Sequence, residues 1–317
     1  MTPRGGEVAV VVPTLNRIDD LRRCLAAARG QTRMAELLVV VDNGSSDGTR
    51  EELSAASDVT AVLPSENLGA PGGFQAGMRA AFDGGASWVW LLDDDAVPAA
   101  DALELLLQRV AREEPAARVG GAAPTVEFDD GRRETGWLWG RRAERGYGQS
   151  PNRPDGPRGP APDVDWAPFA GLLLARDACE QVGPVRADFV LWHADVEYCL
   201  RLRAAGWRLP AAPDAVVRHP AMPLVARRVL GRTVAVGRIS PWREYYDTRN
   251  GVILERGLRR GPLDAVTPLP RRVMDEATRD LAVLVADPHG PRRLIWRAVG
   301  LLDGLRGKLG RRPELED

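Results

Sequence analysis

The stretch Trp88-Val89-Trp90-Leu91-Leu92-Asp93-Asp94-Asp95 joins five apolar residues to three consecutive carboxylates. The apolar run predicts a buried β-strand, with the carboxylates at its carboxyl end. Side chains alternate along an extended chain, so Asp93 and Asp95 point to the same side. Two such carboxylates repel each other unless a cation lies between them, and Mg²⁺ or Mn²⁺ prefers oxygen ligands of this kind. A solvated acidic turn is the simpler alternative, but the preceding strand favours a metal site.

Other apolar runs alternate with segments of helical periodicity. Strands are predicted at 8–12, 37–41, 59–63, 169–175 and 211–218, and helices at 19–29, 46–53, 73–82, 101–112 and 194–205. Apolar strands separated by helices indicate a parallel sheet covered on both faces, and such folds bind ligands at the carboxyl ends of their strands. The fold class is therefore α/β. From Pro220 onward the pattern predicts helices rich in arginine, and residues 146–162, rich in Gly and Pro, predict a loop that shields the cleft.

The composition excludes several classes of protein. The 317 residues include 43 Lys and Arg against 44 Asp and Glu, so no overall basic field attracts nucleic acid. The three cysteines form no C-x-x-C pair, which argues against a disulfide framework or a zinc site. The chain start carries no apolar signal core, and the apolar runs are too short to span a membrane. We therefore expect a cytoplasmic protein.

Two further segments carry polar or glycine residues at predicted strand ends. Asp42 ends the second strand, where a carboxylate can accept hydrogen bonds from a ribose or a base, whereas Asp47 is predicted to cap the next helix. The segment from Asn67 to Gly77 is a glycine-rich entry to a helix, which suits a phosphate-bearing ligand. Most loops of that composition are only turns, so the glycine-rich segment is weak evidence for a ligand site when taken alone.

Together, these segments resemble family 2 inverting glycosyltransferases, which have the GT-A fold. The resemblance rests on Pro13-Thr14-Leu15-Asn16-Arg17, Val41-Asp42-Asn43-Gly44-Ser45-Ser46-Asp47-Gly48-Thr49, Asn67-Leu68-Gly69, Asp93-Asp94-Asp95 and Leu191-Trp192-His193-Ala194-Asp195-Val196-Glu197. Gly72-Gly73 and Tyr245-Tyr246-Asp247-Thr248-Arg249-Asn250 are similar to the subgroup of bacterial rhamnosyltransferases and mycobacterial-type galactofuranosyltransferases. The resemblance covers residues 8–255, which is most of the chain.

The resemblance implies a Rossmann-like, mostly parallel central sheet flanked by helices, with a helical C-terminal region. Residues 1–100 would bind the nucleotide sugar, 101–220 the acceptor, and 221–317 would form a helical extension. The implied reaction moves a sugar, with Mn²⁺ or Mg²⁺, from a nucleotide diphosphate to a hydroxyl with inversion. UDP-galactofuranose or dTDP-rhamnose is the implied donor. The acceptor is a saccharide, a lipid-linked saccharide or a natural product.

The resemblance also assigns roles to individual residues. Inversion needs a carboxylate that takes the acceptor's proton, and by family position this base is Asp195, with Glu197 assisting at the acceptor. Acids that complement a helix dipole are the simpler interpretation of this pair. His193 stands where the family more often has an acidic residue. The implied metal ligands are Asp93, Asp95 and His219; the donor residues are Pro13, Thr14, Arg17, Asp42, Asn67, Gly69, Gly73 and Asp94; the acceptor residues are Trp166, Trp192 and His193.

Two other functions fit parts of the pattern. A sugar nucleotidyltransferase also uses a Rossmann-like sheet and acidic metal ligands, but needs a glycine-rich basic loop where this chain has Pro13 to Arg17. A non-catalytic nucleotide-sugar-binding protein would bind donors without turnover. The complete set of Asp93, Asp95 and Asp195 weighs against it.

The segment 291–310 predicts an amphipathic helix with basic edges. Its apolar face consists of Leu294, Ile295, Ala298, Val299, Leu301, Leu302, Leu305 and Leu309. This face either packs against the protein itself, the commoner arrangement, or lies on an anionic membrane surface, here the inner face of the cell membrane. The oligomeric state does not follow from the sequence.

Overall fold

The computed structural model describes residues 6–114, 117–134, 163–229, 231–258 and 269–315. The predicted loop at 146–162 lies outside them. The chain forms two compact units, which are Met1–Ala187 with Ala194–Ala221, and Asp188–His193 with Met222–Asp317. The division of function at residues 100 and 220 stays a prediction.

The first unit contains the strands and helices that the sequence predicts, and it adds the strands Val97–Pro98, Gly121–Phe128 and Arg133–Glu134 and the helix Arg176–Val182, which the sequence analysis missed. Its strands are β1 (Val8–Thr14), β2 (Leu37–Asp42), β3 (Thr60–Val62), β4 (Trp88–Leu91), β5 (Val97–Pro98), β6 (Gly121–Phe128), β7 (Arg133–Glu134), β8 (Leu173–Ala175) and β9 (Ala211–His219). Its helices are α1 (Ile18–Arg29), α2 (Thr49–Ala55), α3 (Gly69–Asp83), α4 (Ala102–Ala111), α5 (Arg176–Val182) and α6 (Ala194–Ala204). The strand predicted at 169–175 is shorter, because Gly171 adopts φ +104 and interrupts the extended chain.

The sheet confirms the mostly parallel architecture. Its strand order is β3-β2-β1-β4-β8-β6-β9-β5, with β7 beside β6. Strand β1 runs parallel to β2 and β4, β2 parallel to β3, and β6 parallel to β9. Strand β8 lies antiparallel between β4 and β6. The carboxyl ends of β1, β2 and β4 therefore meet at one edge of the sheet, where the candidate site residues follow them.

Glycines in α3 allow this helix to lie directly on the sheet. A Cβ atom at Gly77 would stand 2.4 Å from Cγ1 of Val11, and one at Gly73 would stand 2.6 Å from Cβ of Pro13. Both glycines are buried. Close packing of α3 against β1 thus accounts for them, in addition to the ligand approach that the sequence suggested for this segment.

The second unit combines a β-hairpin with three helices in its described residues. The hairpin strands are β10 (Leu224–Val229) and β11 (Arg232–Gly237), and the helices are α7 (Pro241–Leu258), α8 (Leu269–Ala286) and α9 (Gly290–Arg306). The expectation of helix from Pro220 onward was therefore wrong for the first part of this segment. Val229 and Val236 pack with Ala282 and Val283 of α8, and this burial stabilises the hairpin. The sequence did not predict these strands because their charged residues interrupt the alternation of apolar and polar positions.

The motif at 245–250 holds the segment Asp188–His193 in an unusual backbone conformation. Arg249 and Asn250 are fully buried. The Arg249 guanidinium donates to the carbonyl oxygens of residues 188 and 189 at 3.2 and 3.1 Å. The Asn250 amide donates to those of residues 189, 191 and 192 at 2.9, 2.6 and 3.1 Å. These bonds satisfy carbonyl groups of a segment in which Val190, Trp192 and His193 all have positive φ.

Helix α9 packs on α7 through its small and charged residues. Cβ atoms at Gly300 and Gly304 would stand 2.5 and 2.8 Å from the carbonyl oxygens of Tyr245 and Arg249. Leu301, Leu302 and Leu305 are exposed, and Leu294 and Val299 are half-buried. The interpretation that the apolar face packs against the protein was therefore wrong for most of that face, because the glycines allow closer contact than leucines would.

We predict opposite effects for alanine at two helical glycines. Gly77→Ala destabilises the protein by about 1–3 kcal/mol through overpacking against Val11 and Val41. Gly257→Ala stabilises it by about 0.5–1 kcal/mol, because a Cβ there meets nothing within 4 Å and alanine favours the helix. Chemical denaturation of both variants measures the two shifts. A Gly77→Ala protein as stable as the wild type would show that α3 can move away from β1 without cost.

Candidate active site

The central feature of the first unit is a cluster of two carboxylates and one imidazole. Asp93 and Asp95 follow β4, and the turn is held by the amide of Ala96, which donates to the carbonyl of Asp93 at 3.0 Å. Strand β5 then pairs antiparallel with β9, with Val97 opposite Arg218. This pairing brings His219, at the end of β9, to the carboxylates. Its Nε2 lies 3.4 Å from Oδ2 of Asp93 and 3.1 Å from Oδ1 of Asp95.

The donor atoms of Asp93, Asp95 and His219 can hold a single divalent cation. One atom from each residue lies within 4.8 Å of the other two. Carboxylate oxygens and an imidazole nitrogen form a ligand set that suits Mn²⁺, and the carboxylates suit Mg²⁺. The structure thus brings together the three ligands predicted from the sequence, although His219 lies more than 120 residues from the two carboxylates in the chain.

The metal-free cluster is a strongly coupled set of charges. Burial lowers the pKa of His219, but hydrogen bonds to Asp93 and Asp95 outweigh burial and raise it to about 11. Burial raises the pKa of Asp95, yet His219 and Arg17 outweigh it and hold that pKa below its usual range. The protonated imidazole of His219 therefore balances the charge of the two carboxylates.

Arg17 and Thr14 support the middle and last carboxylates from the end of β1. The Nη1 atom of Arg17 lies 3.3 Å from Oδ1 of Asp94 and 2.9 Å from Oδ2 of Asp95. The hydroxyl of Thr14 donates to Oδ2 of Asp94 at 2.8 Å. Burial raises the pKa of Asp94 to about 7, although Arg17 and Thr14 oppose the rise. Asp94 thus changes charge close to neutral pH.

The predicted donor residue at the end of β2 is enclosed by polar partners. Asp42 is fully buried. Its Oδ1 accepts a hydrogen bond from the amide of Ser45 at 2.8 Å, and its Oδ2 one from Nε of Arg50 at 3.2 Å. The sequence did not single out Arg50, although its place in the first turn of α2 puts it near that strand end. The Arg50 side chain is 43% exposed, whereas the Asp42 carboxylate with which it pairs is fully buried.

Asp47 and Asn67 stabilise helix starts around the same edge. Asp47 accepts from the amides of Ile18 and Thr49 at 2.9 and 3.2 Å, so one carboxylate serves the first residues of α1 and α2. The Oδ1 atom of Asn67 accepts from the amide of Gly69 at 2.8 Å. The N-cap residue of α2 is therefore Gly48 and not Asp47 as predicted, although the Asp47 carboxylate still serves the start of that helix, and Asn67 shapes the turn that enters α3.

The predicted base lies in the first turn of α6. Oδ1 of Asp195 accepts from the amide of Val196 at 2.8 Å, and the side chain is partly accessible. Glu197 pairs with Arg201 at 2.9 Å, one helical turn later. Arg201 also donates to the carbonyl of Val182 at 2.6 Å. The structure thus gives Glu197 a structural partner, whereas the roles of both acids at an acceptor stay predictions.

The predicted acceptor residues belong to different units. Trp166, half-buried, lies in the first unit, whereas Trp192 and His193 lie in the second. His193 is buried, and its Nε2 lies 2.8 Å from Oδ1 of Asp247. This pair was missed from the sequence, where Asp247 served only as part of a subgroup motif. His193 is thus an imidazole held by a carboxylate of α7.

Among the described residues, no helix combines the length and the apolar character needed to cross a membrane.

Comparisons with known proteins agree with the site and the sheet. Residues 9–162 match the sequence model of Glycosyl transferase family 2. Galactofuranosyltransferase GlfT1 of Mycobacterium tuberculosis is 32% identical over 264 residues, which cover 80% of this chain and 84% of that protein. Glycosyltransferase AglE of Haloferax volcanii is 26% identical over 240 residues, 74% of each chain.

Two solved structures share the fold. GalNAc-T7, solved with UDP, GalNAc and Mn²⁺, aligns with a TM-score of 0.55 at 16% identity, covering 78% of this chain and 47% of its own. Mannosyltransferase PcManGT of Pyrobaculum calidifontis, in complex with GDP-Man and Mn²⁺, aligns with a TM-score of 0.51 at 20% identity, covering 97% of this chain and 77% of its own. The mostly parallel sheet is thus the GT-A fold of glycosyltransferases. GlfT1 is matched over most of its length, and an acidic cluster lies at the carboxyl edge of the sheet. This chain therefore belongs to glycosyl transferase family 2 and is a glycosyltransferase.

Proposed function

We propose that this enzyme transfers galactofuranose from UDP-galactofuranose to a hydroxyl group, with inversion at the transferred carbon. The observation that carries the choice of sugar is the 32% identity to galactofuranosyltransferase GlfT1. The acceptor class is a saccharide or a lipid-linked saccharide. dTDP-rhamnose is the second donor that the subgroup motifs imply.

Asp93, Asp95 and His219 would hold Mn²⁺ or Mg²⁺ at the end of β4. A bound divalent cation supplies Lewis acidity that stabilises the negative charge on the departing diphosphate. The geometry of the three ligand atoms supports this assignment, as does the Mn²⁺ in both structural relatives. Arg17, which bridges Asp94 and Asp95, keeps these carboxylates oriented while His219 gives up its proton.

The remaining donor contacts would come from the ends of β1 and β2 and the start of α3. Asp42 would hold the nucleoside, with Arg50 moving from its carboxylate to admit the ligand. Asp94, oriented by Thr14, would contact the ribose or the donor sugar. The other residues proposed to line the donor are Pro13, Asn67, Gly69 and Gly73.

Asp195 would act as the general base. The acceptor oxygen attacks the anomeric carbon while the bond from that carbon to the diphosphate oxygen breaks. The acceptor's proton passes to the Asp195 carboxylate, and the electron pair of the broken bond leaves with the nucleotide. A single displacement of this kind inverts the carbon and forms no covalent link between sugar and enzyme. Glu197, Trp166, Trp192 and His193 are proposed to contact the acceptor.

A donor panel with and without Mn²⁺ tests the proposed donor. UDP-galactofuranose at one hundred times its dissociation constant stabilises the enzyme by about 2.7 kcal/mol against unfolding, and other nucleotide sugars at that concentration stabilise it less. The anomeric configuration of the transferred sugar, read by NMR, tests inversion. Selective protection by dTDP-rhamnose would replace the proposed donor, and a retained configuration would exclude the single displacement.

We predict that metal binding becomes tighter as the pH rises. The pKa of His219 is about 11 without metal, so the imidazole must lose a proton before it coordinates an ion. At pH 8.5, above the pKa of Asp94, calorimetry with Mn²⁺ in buffers of different ionisation enthalpy should detect about one proton released per ion.

The controls for this prediction are two carboxamide variants. Asp95→Asn removes a ligand and should lower the affinity for Mn²⁺ by at least about 100-fold. Asp83→Asn changes an exposed carboxylate of α3 and should leave the affinity unchanged. Mn²⁺ binding without proton release, or normal binding by Asp95→Asn, contradicts the assigned ligand set.

We predict that Asp195→Asn lowers the rate of transfer by about 100-fold or more, because the amide keeps the shape of the side chain and removes its basicity. Donor and metal binding, measured by calorimetry, should stay as in the wild type. Glu180→Gln, an exposed change on α5, is the matched control and should transfer normally. An equal loss of donor binding in Asp195→Asn would assign Asp195 to the donor site and refute its role as the base.

A further inference from the structure

Helix α9 presents an inverted arrangement, in which Arg293 and Asp303 are buried whereas most of its leucines are exposed. Arg293 is 1% exposed, and its guanidinium bonds Glu244 at 2.7 Å and Asp287 at 2.7 Å. Asp303 is also buried and accepts from the hydroxyl of Tyr245 at 3.1 Å. Burial of these ion pairs fixes the rotation of α9 about its axis, because turning the helix would leave buried charges without partners.

The opposite side of α9 is apolar and exposed. Ile295, Leu302 and Leu305 are 61%, 50% and 53% exposed, and they follow one another at helical spacing. Seven of the twelve large apolar side chains that are exposed among the described residues lie on α8 and α9: Leu281, Leu284, Val285, Ile295, Leu301, Leu302 and Leu305. Such a concentration differs from the scattered apolar residues of an ordinary protein surface and indicates an interaction surface.

The exposed charges of α9 itself are of one sign, and beside Leu301 and Leu305 the neighbouring helix α7 contributes one acid and one base, Glu255 and Arg256. The structure describes every residue of α9, and the exposed charged residues of this helix are Arg292 and Arg306. Its only acid, Asp303, is buried. Lys308 follows the helix and is also exposed. A second copy of this chain on the same stripe would bring like charges together, which disfavours a symmetric dimer there. An anionic surface complements both the leucines and the arginines.

We propose that the exposed stripe of α9, Ile295, Ala298, Leu301, Leu302 and Leu305, flanked by Arg292 and Arg306, docks on an anionic lipid bilayer. The helix lies in the plane of the membrane surface, with its leucines among the acyl chains and its arginines at the lipid phosphates. The buried pairs of Arg293 and Asp303 hold the stripe in this orientation before any lipid is met. The inference concerns a surface outside the donor site and goes beyond the proposed reaction.

Flotation of the full chain with liposomes tests the docking surface without any assay of activity. The protein floats with vesicles that contain phosphatidylglycerol and stays at the bottom with pure phosphatidylcholine. The double variant Leu302→Glu/Leu305→Glu floats at least about tenfold less, because each change removes apolar burial and adds repulsion. Met34→Glu, at a residue of the first unit that is 62% exposed, is the matched control and floats as the wild type does.

Charge reversal measures the electrostatic contribution to vesicle binding separately from the apolar contribution. Arg292→Glu/Arg306→Glu reduces binding to the anionic vesicles by about fivefold or more for each arginine. Arg79→Glu, a reversal at an exposed arginine of α3, leaves flotation unchanged. Thermal unfolding of every variant verifies that α9 is still folded, as expected for changes at exposed positions.

Two results would overturn the proposal. The first is a wild-type protein that does not float with phosphatidylglycerol vesicles. The second is flotation that is unaffected by Leu302→Glu/Leu305→Glu. Light scattering coupled to size exclusion identifies the rival occupant: a dimer of the wild type that becomes a monomer in the leucine variant would assign the stripe to a second copy of the chain.

Discussion

The repulsion among three consecutive carboxylates is the constraint around which the first unit is built. Asp93, Asp94 and Asp95 stand at the end of a fully buried strand, where unbalanced negative charge is costly. Arg17 and His219 supply the balancing positive charge, and they come from the ends of β1 and β9. The strand order, which sets β1 beside β4 and β5 beside β9, is therefore what makes the acidic stretch tolerable.

The same balance orients the two carboxylates. The imidazole of His219 lies between them, with its Nε2 at 3.4 Å from Asp93 and 3.1 Å from Asp95. Carboxylates held in this way suit the divalent cation proposed for the site. Arg17, beside Asp94 and Asp95, is a second positive charge, which would suit the diphosphate of the proposed donor.

The second unit depends on buried charge in a different way. Glu244 is 1% exposed and lies within 3.5 Å of Arg279, Arg293 and Arg297, so one carboxylate joins α7 to α8 and α9. Buried pairs of this kind contribute little net stability, but they penalise every other packing of the helices. The clamp formed by Arg249 and Asn250 acts similarly on the segment that ends at His193.

The sequence alone determined most of the strands and helices in the first unit, because continuous apolar runs and helical periodicity are local properties, but it missed β6, which Pro124 interrupts, and the short helix α5. It also singled out Asp93 and Asp95 by their place at a strand end, and His219 through the family resemblance, and the structure brings these three residues together. Only the tertiary structure decided that Gly77 serves helix packing, that residues 224–237 form a hairpin, and that Arg293 and Asp303 point inward. Each of these depends on contacts between residues distant in the chain. Along α9, burial against such partners places Arg293 and Asp303 inside and leaves leucines exposed. This is the reverse of the arrangement that the local pattern of leucines and arginines predicts.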